Sequence, residues 1–330
     1  MEWLLGMILL VLKLGVVLMG LLLVAGWLTF GERRLLGWFQ LRPGPNRAGP
    51  AGLLQPIADI IKLLLKEDLT PEGADRWIFR FAPAVVAGTA FLIFAVVPFG
   101  ETWTLFGKPF PMVISDLNVG LLFVLAMSSI SIYGVVLGGW ASNSKFSLLG
   151  GIRSAAQMIS YELPLGLSLV PVVMLARSFS LVDIVKAQAP YPFILVQPVA
   201  FLIFFISALA EVKRIPFDLP EAENELVAGY HTEYSGMRFG LYFLGEYVTM
   251  VVLGALAAVF FLGGWHGPVL PSMVWFFIKV MTVVFVLVWL RATLPRLRYD
   301  QLMHLGWKVL IPAALINIVV TGAVVLWIRA

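Results

Sequence analysis

Six carboxylates crowd into one connection near the middle of the chain. They are Glu211, Asp218, Glu221, Glu223, Glu225 and Glu233. Because Glu221, Glu223 and Glu225 alternate along the chain, their titrations should be coupled, and like charges beside a low-dielectric region raise one another's pKa. Such groups can hold protons near neutral pH. A solvated acidic loop is the alternative, but the rigid apolar segments 215–217 and 219–220 favour a loop folded against other parts of the protein.

Two further acids lie inside long apolar stretches. Glu162 follows Arg153 by about 13 Å along a helix, and Glu246 follows Arg238 by about 12 Å. A charged group in mid-membrane costs roughly 2.5–3.5 kcal/mol on insertion scales, so it normally faces a polar interior. Helix–helix hydrogen bonding explains a single buried acid equally well. Two acids at matching depth, on the side of the acidic connection, favour a proton-conducting or hydrated polar path.

The first polar connection is rich in arginine. It opens with Glu32, Arg33 and Arg34 and passes through Arg42 to Arg47, where proline and glycine interrupt any helix. A dense group of guanidinium groups so close to an apolar stretch suits the mouth of a polar cavity.

Residues 51–67 of the same connection predict an amphipathic helix. Gln55, Asp59, Lys62 and Lys66 recur at helical spacing, and leucine and isoleucine fill most of the other positions. Such a helix can lie in the headgroup plane with its apolar side in lipid. A solvated stripe on a surface helix is the commoner alternative, but an acid and two bases beside the arginine group also suit the rim of a polar cavity.

Membrane helices must position all of these residues. The 330-residue chain is 60% apolar and 13% charged, whereas an ordinary globular domain is nearer 45–50% apolar and about 25% charged. Apolar stretches of about 20 residues predict eight membrane spans. These are 3–30, 78–98, 117–140, 154–176, 193–211, 239–263, 272–291 and 308–328. The expected fold is a single all-α membrane domain over residues 1–330, with about eight transmembrane helices and an amphipathic interfacial helix.

The distribution of lysine and arginine predicts the orientation. Most of the 23 lie in one set of connections, 31–77, 141–153, 211–238 and 291–308. The opposite loops hold only Lys108, Arg177 and Lys186. By the positive-inside rule, the charged connections are expected on the cytoplasmic side and both termini outside.

Other features exclude several kinds of site. The chain has 0 cysteines, which rules out disulfides, thiolate zinc sites and cysteine-ligated iron–sulfur clusters. No metal, phosphate-binding or dinucleotide-binding motif occurs. Gly134 and Gly138 indicate close helix packing, and Lys13 and Lys279, which lie within apolar stretches, can snorkel to a membrane surface.

Several longer motifs resemble one family of membrane proteins. They resemble the H subunit of bacterial proton-pumping NADH–quinone oxidoreductase (complex I) and the mitochondrial NADH dehydrogenase subunit 1. The matching segments cover every charged connection: 32–34, 40–47, 52–62, 66–67, 139–145, 153–162, 211–236 and 291–303. A match of this extent is far more specific than any single short motif.

The resemblance implies an eight-helix subunit that forms much of a quinone-access tunnel beneath a peripheral arm. The tunnel and its mouth would involve Glu32, Arg33, Arg34, Arg42, Asp59, Lys62, Arg291 and Arg296. The acids that couple quinone reduction to proton pumping would be Glu162, Glu211, Glu221, Glu223, Glu225 and Glu246. The third span departs from a fully acidic chain, since it offers Ser128, Ser129, Ser131 and Tyr133, and a water-mediated step is one way to bridge it.

The resemblance also implies where the redox chemistry lies. This chain would hold no redox centre and no metal, with quinone as its substrate and with NADH, FMN and iron–sulfur clusters bound by partner subunits. The expected partners are the other membrane-arm and peripheral-arm subunits, above all the iron–sulfur subunit beside the quinone site, together with lipid but no nucleic acid. The expected location is the bacterial inner membrane.

Two other functions are compatible with a polytopic chain of this kind. One is the membrane anchor of an energy-converting hydrogenase, in which no quinone is used. The other is a free-standing cation transporter, whose usual signs are inverted repeats and broken helices near the midplane. The extent of the matches at 211–236 and 291–303 favours the quinone enzyme.

Overall fold

Long helices run through almost the whole chain. A computed structural model describes residues 2–105, 108–220 and 226–329. The α-helices of the described ranges are α1 (Glu2–Phe39), α2 (Gln55–Leu65), α3 (Arg76–Ile93), α4 (Gly120–Ala141), α5 (Lys145–Ala176), α6 (Leu181–Ala187), α7 (Pro198–Glu211), α8 (Gly236–Phe260), α9 (Ser272–Thr293), α10 (Tyr299–His304) and α11 (Ile311–Arg329). Short 3-10 turns occur at Pro50–Gly52, Phe94–Val96, Phe193–Leu195 and Gly229–His231, and a π-helical segment, Leu305–Leu310, joins α10 to α11.

The predicted membrane architecture is confirmed. Within the described ranges, seven helical segments are long and apolar enough to cross a membrane. The eighth predicted span, 193–211, contains α7, which has 14 residues and a length of about 21 Å. A single 3-10 turn, Phe193–Leu195, precedes it. The chain is therefore a polytopic, all-α membrane protein with one apolar helix shorter than the rest.

Two predicted boundaries are wrong in an informative way. The first span continues past residue 30 to Phe39, so that Glu32, Arg33 and Arg34 belong to the last turns of α1 rather than to a loop. The predicted connection 141–153 is mostly helical, because α5 begins at Lys145. In both places charge suggested the end of a helix, but no proline breaks the helix there.

The amphipathic helix is confirmed as α2. Its apolar side chains Ile57, Ile60, Ile61 and Leu64 are exposed on the surface of the chain. Exposure of so many large apolar groups on one helix suits a position against lipid.

Helix α8 lies at the centre of the bundle, and most of its residues are buried. It packs against α3, α9 and α1, while α4 lies between α3 and α5. A Cβ atom on Gly134 would lie 3.0 Å from the Ala82 carbonyl oxygen, and one on Gly138 would lie 1.9 Å from the Tyr242 hydroxyl. The glycine pair therefore serves close helix packing, as the sequence indicated.

The two lysines within apolar stretches hold loops on the face opposite the charged connections. Lys13 donates to the Pro111 carbonyl at 2.6 Å and also to that of Val113. Lys279 donates to the carbonyls of Gly264 and His266, at 2.9 and 2.7 Å. The loop near Lys13 includes a small antiparallel hairpin, β1 (Trp103–Leu105) and β2 (Lys108–Phe110), with Trp103 opposite Phe110.

Candidate functional site

A buried carboxylate, Glu32, joins four parts of the chain. Its side chain is 1% exposed. One oxygen accepts a hydrogen bond from Arg214 at 2.8 Å and another from Arg291, and the second oxygen accepts from the Tyr247 hydroxyl at 2.7 Å. A buried charge is tolerated only when it is paired and hydrogen-bonded in this way. We call Glu32, Arg214, Tyr247 and Arg291 the Glu32 cluster.

Sequence reasoning identified Glu32 and Arg291 but missed the other two members. Arg214 is 8% exposed, and its guanidinium group also stacks on the Tyr247 ring at 4.8 Å. Burial favours the neutral form of the guanidine, but the Glu32 carboxylate outweighs burial and holds the pKa of Arg214 above its usual range. Arg214 lies inside the motif at 211–236, and Tyr247 directly follows Glu246, so proximity to these motifs was the available signal.

A second ion pair links α1 to α2. Arg33 donates to Asp59 at 2.7 Å, and the Gln55 amide donates to the other oxygen of Asp59 at 2.9 Å. The side chains of Arg33 and Asp59 are 47% and 29% exposed, so water screens the pair and its contribution to stability is about 0–1 kcal/mol. This arrangement confirms that the polar stripe of α2 faces the arginine group.

The remaining predicted tunnel residues are placed differently. Lys62 and Arg42 are exposed and form no ion pair with a described residue. Arg34 donates to the Ala51 carbonyl at 3.1 Å, and its guanidinium group lies beside the rings of Phe30 and Trp38. These three residues therefore lie outside the Glu32 cluster.

Arg296 pairs with the acidic connection. It donates to Asp218 at 2.7 Å, and the Leu297 amide donates to the Pro216 carbonyl at 3.0 Å. Burial raises the pKa of Asp218, although the hydrogen bond from Arg296 opposes the shift. The segment after α9 is thus docked on residues 216–218.

Residues 211–218 form a compact segment, which we call the hinge segment. Gln157, which is fully buried on α5, donates to the carbonyls of Ala210 and Phe217, at 2.8 and 2.7 Å. One amide group therefore holds both ends of the hinge segment, and the Phe217 ring packs edge-on against Tyr161. Gln157 lies in a motif that the sequence singled out, but its role depends on a contact that spacing does not reveal.

Two of the predicted acids meet on adjacent serines of α4. Glu211 is buried and accepts a hydrogen bond from Ser128 at 3.1 Å. Glu162 accepts from Ser129. The third span, which the sequence left as a gap in the acidic chain, thus brings acids from α5 and α7 to neighbouring hydroxyl groups.

Glu246 lies on a second branch. It is buried and accepts a hydrogen bond from the Tyr230 hydroxyl at 2.8 Å. The Lys213 ammonium group lies 4.8 Å from the centre of the Tyr230 ring, and His231 packs edge-on against the same ring. Burial lowers the pKa of His231, although Glu246 opposes the shift. Glu246 and Lys213 thus connect this branch to the hinge segment.

Several buried polar atoms in this region have hydrogen-bonding capacity that no described residue uses. They are Oγ of Ser207, Oε2 of Glu211, Nε and Nη2 of Arg214, Oδ1 of Asp218 and Nδ1 of His231. Buried polar atoms in proteins nearly always bond to protein or to ordered water. Their concentration around the hinge segment marks a polar interior that water can enter.

The three alternating acids Glu221, Glu223 and Glu225 lie outside the described residues. Within the ranges described, no three histidine or carboxylate side chains form a group that could hold a metal ion. The groups that remain are therefore arginines, tyrosines, serines and carboxylates, which bind polar ligands and transfer protons.

Comparisons with known proteins agree with these features. A family profile described as NADH dehydrogenase matches residues 12–322. The second H subunit of the NADH-quinone oxidoreductase of Syntrophobacter fumaroxidans is 69% identical over 327 residues, covering 99% of each chain. The second H subunit of Geobacter sulfurreducens is 63% identical over 96% of each chain, and the H subunit of Syntrophotalea carbinolica is 60% identical over 99%. The chain belongs to the NADH dehydrogenase family.

Proposed function

We propose that this chain is the membrane subunit of a proton-translocating NADH–quinone oxidoreductase that lines the path of the quinone and carries the acids coupling its reduction to proton pumping. The chain has no cysteine to ligate an iron–sulfur cluster, so electrons would reach the quinone from a cluster in a partner subunit. Its own contribution is to bind, position and transfer protons.

One observation carries the proposal: the hinge segment touches both groups of residues. Glu211, at its start, belongs to the acidic branch on α4, and Arg214, three residues later, belongs to the Glu32 cluster. Asp218, at its end, pairs with Arg296. Because Gln157 holds both ends, a change of charge on one side is felt on the other without a long chain of intermediates.

On the quinone side, the arginines are suited to the polar head group. Quinone carbonyl oxygens accept hydrogen bonds, and the guanidinium groups of Arg214, Arg291 and Arg296 are donors held in place by acids. The pair of Arg33 and Asp59, flanked by exposed Lys62 and Arg42, would form the outer part of the path.

On the proton side, the acids respond to the charge of the quinone. A negatively charged quinone species near the Glu32 cluster would compete with Glu32 for Arg214 and would raise the proton affinity of nearby carboxylates by repulsion. Protons taken up at the hinge segment would then reach Glu162 through the serines and bound water, or Glu246 through Tyr230. Glu221, Glu223 and Glu225 would supply these protons from the charged face.

The proposal includes the surroundings of the chain. The charged connections would face the cytoplasm and dock the peripheral arm, with its iron–sulfur subunit and the subunits that bind FMN and NADH. Both termini would lie outside, in a bacterial inner membrane. The neighbouring membrane-arm subunits would receive the charge change from Glu162 and Glu246.

The substitution Glu211→Gln tests the coupling. It keeps the volume and the hydrogen bond from Ser128 but removes the titration, so proton uptake into sealed vesicles should fall at least several-fold and NADH–quinone turnover should fall with it. NADH oxidation by a water-soluble artificial acceptor should be unchanged, because that reaction does not need the membrane path. Glu72→Gln is a matched control, since Glu72 is an exposed acid on the charged face.

The complex must first be isolated after gentle solubilisation, and its partner subunits identified. Recovery of this chain without iron–sulfur partners would refute the assignment to a quinone oxidoreductase. Full pumping at normal turnover in an assembled Glu211→Gln complex would instead refute the coupling role of the hinge segment.

A further inference from the structure

An apolar crevice of about 620 Å³ lies between α1 and α9, on the outer surface of the bundle. Leu23, Trp27 and Gly31 line it on α1, and Phe277 and Phe285 line it on α9. Trp27 and Phe277 are 41% and 50% exposed, so the crevice opens towards the surrounding lipid. None of the acids of the proposed proton path lines it.

The depth of the crevice depends on a glycine that helix packing does not require. A Cβ atom on Gly31 would have no heavy atom within 4 Å, whereas one on Gly138 would collide with Tyr242. Gly31 therefore leaves a slot at the surface rather than allowing two helices to meet. A slot lined only by hydrocarbon and aromatic groups accommodates a flexible apolar chain.

A cation stands at the end of the crevice nearest the charged connections. Arg34 follows Gly31 by three residues, so it lies one helical turn further along the same side of α1. Within the described ranges it pairs with no acid, in contrast to Arg33, which pairs with Asp59. Its guanidinium group lies 6.0 Å from the ring of Trp38, a side chain that is 64% exposed. An arginine beside an exposed tryptophan is typical of the headgroup level of a membrane.

We propose that the crevice and Arg34 bind an anionic glycerophospholipid, with one acyl chain in the crevice and the phosphate on Arg34. Charge complementarity decides between this occupant and a quinone tail. A phosphate provides the counter-ion that Arg34 lacks and forms charge-assisted hydrogen bonds with it, whereas a quinone head group is uncharged. Arg34 is thereby assigned to a lipid site and not to the quinone path.

Photolabelling of the intact complex tests this site. The complex is reconstituted with phosphatidylglycerol that carries a photoreactive group on one acyl chain, and, in separate samples, with the matching phosphatidylcholine or a photoreactive isoprenoid quinone. Labelled positions are read by mass spectrometry of peptides that cover 23–31 and 277–285. Phosphatidylglycerol should label these peptides several times more strongly than phosphatidylcholine.

Two variants and one control separate the parts of the site. Gly31→Leu fills the slot and should reduce labelling by phosphatidylglycerol about tenfold, which corresponds to roughly 1.4 kcal/mol. Gly20→Leu should not, because Gly20 also has no neighbour within 4 Å of a Cβ but does not line the crevice. Arg34→Gln should leave the crevice open and reduce labelling by phosphatidylglycerol to the level seen with phosphatidylcholine.

Three results would overturn the proposal. The first is equal labelling by the two phospholipids in the unsubstituted complex. The second is unchanged labelling in Gly31→Leu. The third is labelling of the crevice by the quinone probe that excess phosphatidylglycerol does not displace, which would make the occupant a quinone.

Discussion

Glu32 and Arg33 are neighbours in sequence, yet their environments give them opposite kinds of importance. Glu32 is buried among two arginines and a tyrosine, whereas Arg33 forms a half-exposed pair with Asp59. Loss of a buried charge partner typically costs 3–5 kcal/mol, whereas loss of an exposed pair costs about 0–1 kcal/mol. Substitution at Arg33 is therefore the better probe of function, because the fold should survive it.

We expect Arg33→Ala to lower NADH–quinone turnover several-fold while the complex remains assembled and as heat-stable as before. The reason is that the pair holds α2 against α1 beside the proposed path. Turnover with quinone is compared with turnover using an artificial acceptor. Lys66→Ala serves as the control, since it removes a charge just beyond α2 without breaking that pair. An equal loss of both activities would place Arg33 outside the quinone path.

The buried imidazole of His231 predicts a pH dependence of stability. Its pKa is lowered by burial, so the folded state holds it neutral while the unfolded chain binds a proton below about pH 6.5. Stability should therefore be unaffected above that pH and should fall as the pH drops from about 6.5 towards the lowered folded-state value. The rate of thermal inactivation is measured at pH 7.5 and pH 5.5, and His231→Gln should reduce the difference. A larger difference in the variant would show that the sign is wrong.

At the scale of elements, the spacing between α4 and α8 is set by one contact. Tyr242 donates to the Gly134 carbonyl at 3.1 Å, and its hydroxyl lies where a Cβ of residue 138 would stand. The absence of side chains at Gly134 and Gly138 thus brings α4 against both α3 and α8.

Gly138→Ala should destabilise the subunit by about 1–3 kcal/mol, the usual cost of overpacking, and lower the yield of assembled complex. Tyr242→Phe removes the colliding oxygen, so the double variant Gly138→Ala/Tyr242→Phe should recover most of the yield. The measurement is the amount of complex in detergent extracts on native gels. If the double variant is worse than Gly138→Ala alone, the contact with the Tyr242 hydroxyl is not what limits packing.

At the scale of the whole molecule, the lack of cysteine allows the orientation to be measured directly. Glu72→Cys places a single thiol in an exposed position of the charged connection, and Glu101→Cys places one in an exposed position of an opposite loop. A membrane-impermeant maleimide should label position 72 only in inside-out vesicles and position 101 only in right-side-out vesicles. The reverse pattern would invert the proposed orientation.

The sequence by itself determined the membrane architecture and the family. Long apolar stretches separated by charged segments leave few alternatives to a helix bundle in lipid, because backbone polar groups must be satisfied within each helix. The periodic stripe of Asp59 and Lys62 likewise predicted α2 and its polar side. These features are local, so they can be read from spacing alone.

Only the tertiary structure decided which charged residues act together. Arg214 and Tyr247 join Glu32 across more than 180 residues of sequence, and Ser128 and Ser129 receive acids from two other helices. It also separated Arg34 from Arg33, which sequence analysis had placed in one group. The physical reason is that a charge in the interior is stable only beside a partner, and the partners come from helices whose relative rotation no local pattern encodes.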